Sequence, residues 1–491
     1  MSTLTSSASL PEVRLWLGEK KSQDGSGGVF DHVNPTTGRV QARVPLAGAA
    51  EVAEAVEASA AAFPAWRGLR PDQRRDALLR LGALILQNEP ELTRIAALEN
   101  GSPVIGGPRY VRLAVNWLTY YAGWADKLQG SVSGSFVQGT DFTYSQPEPY
   151  GVIGAIITWN VPLASLCMKV VPALAAGNTV VVKPSEFTPF TAEMFARLAE
   201  EAGLPAGAIT VVPGTAAAGQ ALVAHPKVQK ISFTGGPATA RKILATCGEH
   251  LKPSVMELGG KSANIIFADA DLDKAAAETI RMGLSALSGQ ACILGSRVLV
   301  QDPVYDEVVA KLVAAAEALP VGDPSQPGVL FGPVIDKAAQ QRILGVIDQA
   351  REDGSGKLAT GGRPVGGDLA NGSFVEPTIF TDVDPAGPLA QNEVFGPVIS
   401  VMRFGTDDEA VAIANGTEFG LAAYIHSRDV TRVHGIADRL EAGTVYVNGA
   451  AVVQPWTPFG GQGESGFGRE GGYQGIAEFI RPKTVAIAPL R

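Results

Sequence analysis

Val152-Ile153-Gly154-Ala155-Ile156-Ile157 opens a stretch, Gly151 to Val182, that carries one charged residue, Lys169, across 32 positions. About 20 apolar residues are long enough to cross a bilayer. Here Asn160, Pro162, Pro172, Gly177 and Asn178 punctuate the run. Residues 152–157 and 179–183 have strand length and β-branched content, and the piece Leu163 to Ala176 between them has helix length. The stretch therefore reads as a buried strand–helix–strand unit and not as a membrane span.

The alternation continues outward from this unit. Further strands are expected at 209–212, 230–233 and 263–267, and helices at 163–175, 189–202, 216–224 and 237–246. That order predicts a parallel, doubly wound sheet. Upstream, residues 49–63 and 71–87 are Ala/Leu-rich with helical spacing, and Pro71-Asp72 suits a helix start. Tyr120 to Lys127 closes this helical part. Residues 131–149 alternate polar and apolar side chains and read as an excursion of β-strands. A second α/β run follows from 271 to about 460, with helices at 271–286, 304–318 and 336–353. Residues 483–489 form a short final strand. The Ser/Thr-rich residues 1–10 lack the basic start and apolar core of a secretion signal and read as a loose tail.

The chain has 491 residues, 46% of them hydrophobic, which predicts two or three domains. Charged residues make up 18% and the net charge is −9. A nucleic-acid partner would favour a basic face, so none is expected. Three cysteines, Cys167, Cys247 and Cys292, are too few for a disulfide framework and fit a reducing, cytoplasmic setting. The five histidines show no metal-ligand spacing, and no metal is expected.

Two short segments carry the chemistry. Ser288-Gly289-Gln290-Ala291-Cys292 presents a thiol, which is a strong nucleophile as thiolate. Met256-Glu257-Leu258-Gly259-Gly260-Lys261-Ser262, 35 residues upstream, presents a glutamate between apolar neighbours. Partial burial would raise its pKa toward the range a general base needs. Gly259-Gly260-Lys261-Ser262 ends like a phosphate-binding loop, but position 255 is Val where that loop needs glycine. Phe233-Thr234-Gly235-Gly236 follows a strand and opens a helix, where backbone N–H groups can hold a pyrophosphate. The Gly-x-Gly-x-x-Gly fingerprint is absent from this region.

Together with Trp159-Asn160-Val161-Pro162 and Lys183-Pro184-Ser185-Glu186, these motifs resemble the NAD(P)-dependent aldehyde dehydrogenase superfamily from about residue 30 to the C-terminus. The resemblance implies an α/β fold with a Rossmann-like cofactor domain (1–129 and 150–259), an α/β catalytic domain carrying the nucleophilic Cys (260–472) and a small β oligomerisation element (130–149 and 473–491). It implies Cys292 as nucleophile, Glu257 as base for thioester hydrolysis, Asn160 as oxyanion donor, and Lys169 with Glu470 as a supporting proton-relay pair. The cofactor positions it implies are Ile156, Ile157, Thr158, Trp159, Asn160, Lys183, Ser185, Glu186, Gly219, Phe233, Thr234, Gly235, Gly236, Leu258, Glu393 and Phe395. Glu186 would bind the ribose hydroxyls and repel a 2′-phosphate, so NAD is expected over NADP. Val161, Ser165, Met168, Ile293, Val453 and Phe459 would line the substrate pocket. Val161 and Met168 stand where aminoaldehyde-oxidising relatives place aromatics, and no arginine is evident for a substrate carboxylate, so an apolar aldehyde is expected. The resemblance also implies a homodimer or homotetramer.

The sequence departs from the family pattern at Gly236 (often Ser), at Ser285 and Leu287 (often an aromatic and Asn), and at Gly463 (often Lys). Two other classes compete: a non-catalytic relative that keeps the fold for binding, and a thiol hydrolase without redox chemistry. Intact Asn160, Glu257 and Cys292 speak against the first. The absence of a His from the motifs speaks against the second.

Overall fold

The computed structural model describes residues 10–133, 142–450 and 453–488. The expected loose tail (apart from residue 10), the middle of the 131–149 excursion and the end of the 483–489 strand lie outside these residues.

The stretch that opens the sequence reading forms strand Val152–Ile156, helix Pro162–Ala175 and strand Thr179–Lys183. Pro162 sits in the first helical turn, where a missing N–H costs nothing. The helix is buried on all sides except at Leu163, which accounts for its uninterrupted apolar character. Among the described residues no helix is long and apolar enough to cross a membrane.

This unit is the centre of an eight-stranded sheet. Strands 254–257, 228–234, 152–156, 179–183 and 209–211 lie side by side and run parallel. Antiparallel strands close both edges: Leu15–Leu17 and Lys20–Ser22 on one side, Gly466–Phe467 on the other. Val180, Val181 and Val182 are fully buried, each contributing about 1.5–3 kcal/mol by leaving water.

One expectation is corrected here. The strand expected at 263–267 is strand Ala263–Ile266, and it belongs to a second sheet. The fifth parallel strand of the first sheet is Ser254–Glu257. Apolar β-branched runs report burial on two faces, which is the same in either sheet; Gly259-Gly260 is where the chain crosses between them. The second sheet has seven strands, ordered 357–360, 378–381, 398–404, 297–301, 263–266, 422–426 and 444–447. All its pairs are parallel except the first. A second correction concerns the helix expected at 271–286. It runs from Leu272 to Ile280, widens to a π-helical turn over Arg281–Ser285, and then breaks at left-handed Leu287 and Ser288.

The excursion and the last strand meet in a third sheet. Ile480–Ile487 pairs antiparallel with Phe142–Pro149, which also pairs with Val132–Ser133. Val132, Phe142 and Ile487 are 72%, 52% and 50% exposed on it.

Candidate active site

Four segments converge where the two large sheets meet. Strand Ser254–Glu257 delivers Glu257, paired through its backbone with Gly466. The two glycines that follow are required by close approach. A Cβ on Gly259 would stand 2.4 Å from Glu393 Oε2, and one on Gly260 would stand 2.2 Å from the Cys292 carbonyl oxygen. Gly260 N–H donates to Glu393 Oε1 at 3.0 Å. The bare backbone after Glu257 thus threads between Glu393 and Cys292.

Cys292 is half-buried at the end of the broken helix. Burial pushes its thiol well up, and the nearby carboxylates of Glu393, Glu257 and Glu470 push the same way. Glu257 is 3% exposed, and neither carboxylate oxygen has a hydrogen-bond partner among the described residues. Burial raises its pKa well above the ordinary value, and the Glu470 charge adds to this; Lys169 and Arg469 oppose it. A carboxyl held this way accepts a proton readily.

Lys169 and Glu470 meet as expected: Nζ lies 2.6 Å from Oε1, both side chains buried. Lys169 also donates to Ser232 Oγ at 3.2 Å. Glu470 is anchored by a reciprocal backbone pair with Phe459, at 2.5 and 2.7 Å.

Asn160 is buried and oriented from three sides. Its Nδ2 donates to the Gln290 carbonyl at 2.8 Å and its Oδ1 accepts from Thr158 Oγ1 at 2.9 Å. Asn100 Nδ2 donates to the carbonyls of Trp159 and Asn160 at 3.2 and 3.3 Å. One of the two Asn160 amide hydrogens is thereby used.

Sequence reasoning missed several residues that hold this arrangement. Gln290 is buried; its Oε1 accepts from Ile335 N–H and its Nε2 donates to the Leu287 carbonyl, both at 2.9 Å. Tyr424 donates to the Ile293 carbonyl at 2.8 Å and stacks on Tyr446, which accepts from Val453 N–H at 3.2 Å. Asn100 gave no local signal, because its role exists only across 60 residues of chain. Tyr424 sits in strand Ala422–His426 between Ala and Ile neighbours, where its hydroxyl was the available signal.

The cofactor positions gather at the carboxyl ends of the parallel strands, where open α/β sheets bind ligands. Ile156, Phe233 and Leu258 belong to one apolar cluster, and a Cβ on Gly219 would stand 3.9 Å from the Ile156 side chain. Ile157 N–H donates to the Lys183 carbonyl at 3.2 Å. Lys183 Nζ lies 3.4 Å from Glu186 Oε2; burial lowers the Lys183 pKa and Glu186 partly restores it. Ser185 Oγ accepts from Phe187 N–H at 3.3 Å. After Thr234 and Gly235, Gly236 is the N-cap of helix Pro237–Glu249, and a Cβ there would meet nothing within 4 Å. That open helix start suits a pyrophosphate. On the far side Trp159 meets Phe395 edge-on, ring centroids 5.4 Å apart. The residues present therefore fit a dinucleotide.

Val161, Met168, Ile293, Val453 and Phe459 pack in one apolar cluster together with Cys292. Ser165 is buried on the same helix and donates its N–H to the Val161 carbonyl at 2.9 Å.

Comparison with known proteins agrees with this geometry. Residues 22–485 match the aldehyde dehydrogenase family. The chain is 39% identical over 482 residues to aldehyde dehydrogenase 1A1 of Gallus gallus, covering 96% of this chain and 93% of that one. It is 39% identical over 473 residues to the 3-sulfolactaldehyde dehydrogenase of Pseudomonas putida, covering 94% of each. Among solved structures, PnpE from Pseudomonas sp. WBC-3 superposes with a TM-score of 0.95 at 38% identity, over 97% of this chain and 98% of that one, and has also been solved with nicotinamide adenine dinucleotide.

Proposed function

The chain belongs to the aldehyde dehydrogenase family and oxidises an aldehyde with NAD; on that premise we propose that Cys292, Glu257 and Asn160 carry the reaction. The observation that supports this reading is a half-buried Cys292 that feels the Glu257 carboxylate, a buried Glu257 with no hydrogen-bond partner among the described residues, and an Asn160 amide that donates to the Gln290 carbonyl two residues before Cys292.

Cys292 gives its proton to water and attacks the aldehyde carbonyl as thiolate, forming a thiohemiacetal. The second amide hydrogen of Asn160 and the Cys292 N–H hold its oxyanion. NAD, when bound, supplies a cationic nicotinamide that accepts hydride. Lys183, Ser185 and Glu186 would hold its adenosine ribose, the Gly236 helix start its pyrophosphate, and Glu393 and Phe395 its nicotinamide side. Cys292 then carries the acyl group as a thioester. Glu257 takes a proton from water, and hydroxide attack releases the carboxylic acid. Lys169 and Glu470 tune Glu257 through their charges.

The pocket lining of Val161, Met168, Ile293, Val453 and Phe459 supports an apolar aldehyde. Glu186 supports NAD over NADP. The crossing between sheets at Gly259-Gly260 supports a cofactor domain of residues 1–129 and 150–259 and a catalytic domain of 260–472, although Gly466–Phe467 joins the first sheet. The exposed apolar residues of the third sheet support a homodimer or homotetramer built through 130–149 and 473–491. Three free cysteines support a cytoplasmic location.

The test is NADH absorbance with NAD and a panel of aldehydes for the wild type and Cys292→Ala. The reading expects NADH from the wild type alone. NADH from the variant at the wild-type rate would remove Cys292 from the mechanism.

A further inference from the structure

The segment that delivers Cys292 is held from outside by residues 330–335. Ser285 Oγ donates to the Leu330 carbonyl at 3.0 Å, Ser288 Oγ donates to the Gly332 carbonyl at 2.8 Å, and Gln290 Oε1 accepts from Ile335 N–H at 2.9 Å. The contacts run in the same order along both segments. Ser288 is buried and left-handed, φ 52° and ψ 43°. Serine adopts that backbone at a cost, so its hydroxyl bond counts toward holding it there. Gly289 beside it meets the opposite wall: a Cβ would stand 2.2 Å from the Gly396 carbonyl oxygen.

Residues 330–335 are themselves fixed on two sides. Phe331 is fully buried, and Val334 N–H donates to the Ser373 carbonyl at 2.9 Å. A Cβ on Gly332 would stand 2.3 Å from the Gly101 carbonyl oxygen, and one on Gly101 would stand 2.5 Å from Pro333. Gly101 follows Asn100, which donates to the Trp159 and Asn160 carbonyls. The same segment thus touches both the nucleophile segment and the loop that braces Asn160. Gln290 closes the circuit, because its main-chain carbonyl accepts from Asn160 Nδ2 and its side chain accepts from Ile335.

We propose that residues 330–335 set the position of Cys292 against Asn160, and that Ser285 and Ser288 are the positioning residues that tie the nucleophile segment to them. Each hydroxyl is spent on a backbone carbonyl, so each acts through Cys292 and not on the substrate. A misplacement of about 1 Å at a reacting centre costs on the order of 10²-fold in rate. This rests on the aldehyde dehydrogenase reading of Cys292.

The experiment is rapid mixing with saturating NAD and hexanal or benzaldehyde, reading the rate of the first NADH burst. The NAD dissociation constant, from fluorescence, and the thermal midpoint are measured alongside. Ser288→Gly removes the hydroxyl but suits the left-handed backbone, so it keeps the fold. Its burst should slow by roughly ten- to hundred-fold, with NAD affinity and thermal midpoint at the wild-type values. Ser285→Ala should slow the burst as well, and Ser285→Thr, which keeps the hydroxyl, should restore it. The Ser285 pair decides alone if Ser288→Gly folds poorly. A wild-type burst in Ser288→Gly, or equal bursts for Ser285→Ala and Ser285→Thr, would overturn the proposal. NAD affinity or thermal midpoint falling together with the burst would make the hydroxyls structural only, and would overturn it too. No NADH from the wild type with either aldehyde would overturn the underlying reading instead, and the positioning role with it.

Discussion

Three carboxylates act on the Cys292 thiol, and their charge decides how pH acts on it. Burial holds Cys292 protonated, and Glu393, Glu257 and Glu470 reinforce that. A cationic nicotinamide would offset this field, so iodoacetamide should alkylate Cys292 faster with NAD present than without it at the same pH. Glu257 must be ionised to act as base, and its pKa stands above the ordinary 4.5. Activity therefore rises with pH through that raised value. Stability moves the other way: the folded state binds the Glu257 proton more tightly than the unfolded state, so this group's contribution falls as pH climbs from 4.5 through its folded pKa. Lys169→Met removes a cation that lowers the Glu257 pKa and leaves Glu470 facing it, so the pH–rate profile should move to higher pH. It also leaves a buried carboxylate unpaired, which costs about 3–5 kcal/mol. A Lys169→Met, Glu470→Gln double variant should recover much of that stability. A profile that does not move in Lys169→Met would show that the pair is only structural.

At the scale of elements, the segment leading to Cys292 is the most strained part of the site. A helix that ends at Ile280, a π-helical turn and three successive left-handed residues, Leu287, Ser288 and Gly289, bring the thiol to Gly260. Leucine tolerates that conformation poorly, and Asn tolerates it better. Leu287→Asn should therefore stabilise the protein by about 1 kcal/mol in denaturant unfolding. Unchanged stability would mean that the surroundings relax around Leu287. The sequence showed that Leu287 is unusual but not why, because nothing in apolar periodicity reports a left-handed backbone. Elements with clean periodicity were legible: strand 179–183 and helices 71–87 and 216–224 occupy the expected residues. Strand 263–266 was legible as a strand but not in its sheet, since burial on two faces is common to both sheets. Glu257, Asn160, Cys292 and the Lys169–Glu470 pair came from motifs. Gln290, Asn100 and Tyr424 act through contacts between distant segments, which local sequence does not encode.

For the whole molecule, the two large sheets meet at the site and the third stands apart with apolar side chains in solvent. Val132→Lys with Ile487→Lys places charges on that exposed face. Changes at exposed positions cost little in folding, on the order of 0.5 kcal/mol. Light scattering should then show a smaller particle than the wild type with its melting behaviour nearly kept. An unchanged particle mass would place the subunit contact elsewhere.

The central claim is a division of labour: Cys292 forms the acyl–enzyme and Glu257 releases it. Rapid mixing of Glu257→Gln with NAD and an aldehyde, followed by peptide mass spectrometry, tests it most directly. The account predicts a burst of about one NADH per site, an acyl group on the Cys292 peptide, and steady turnover slowed by roughly 10²–10⁴-fold. Steady turnover at the wild-type rate, or an acyl group on any other residue, would contradict it.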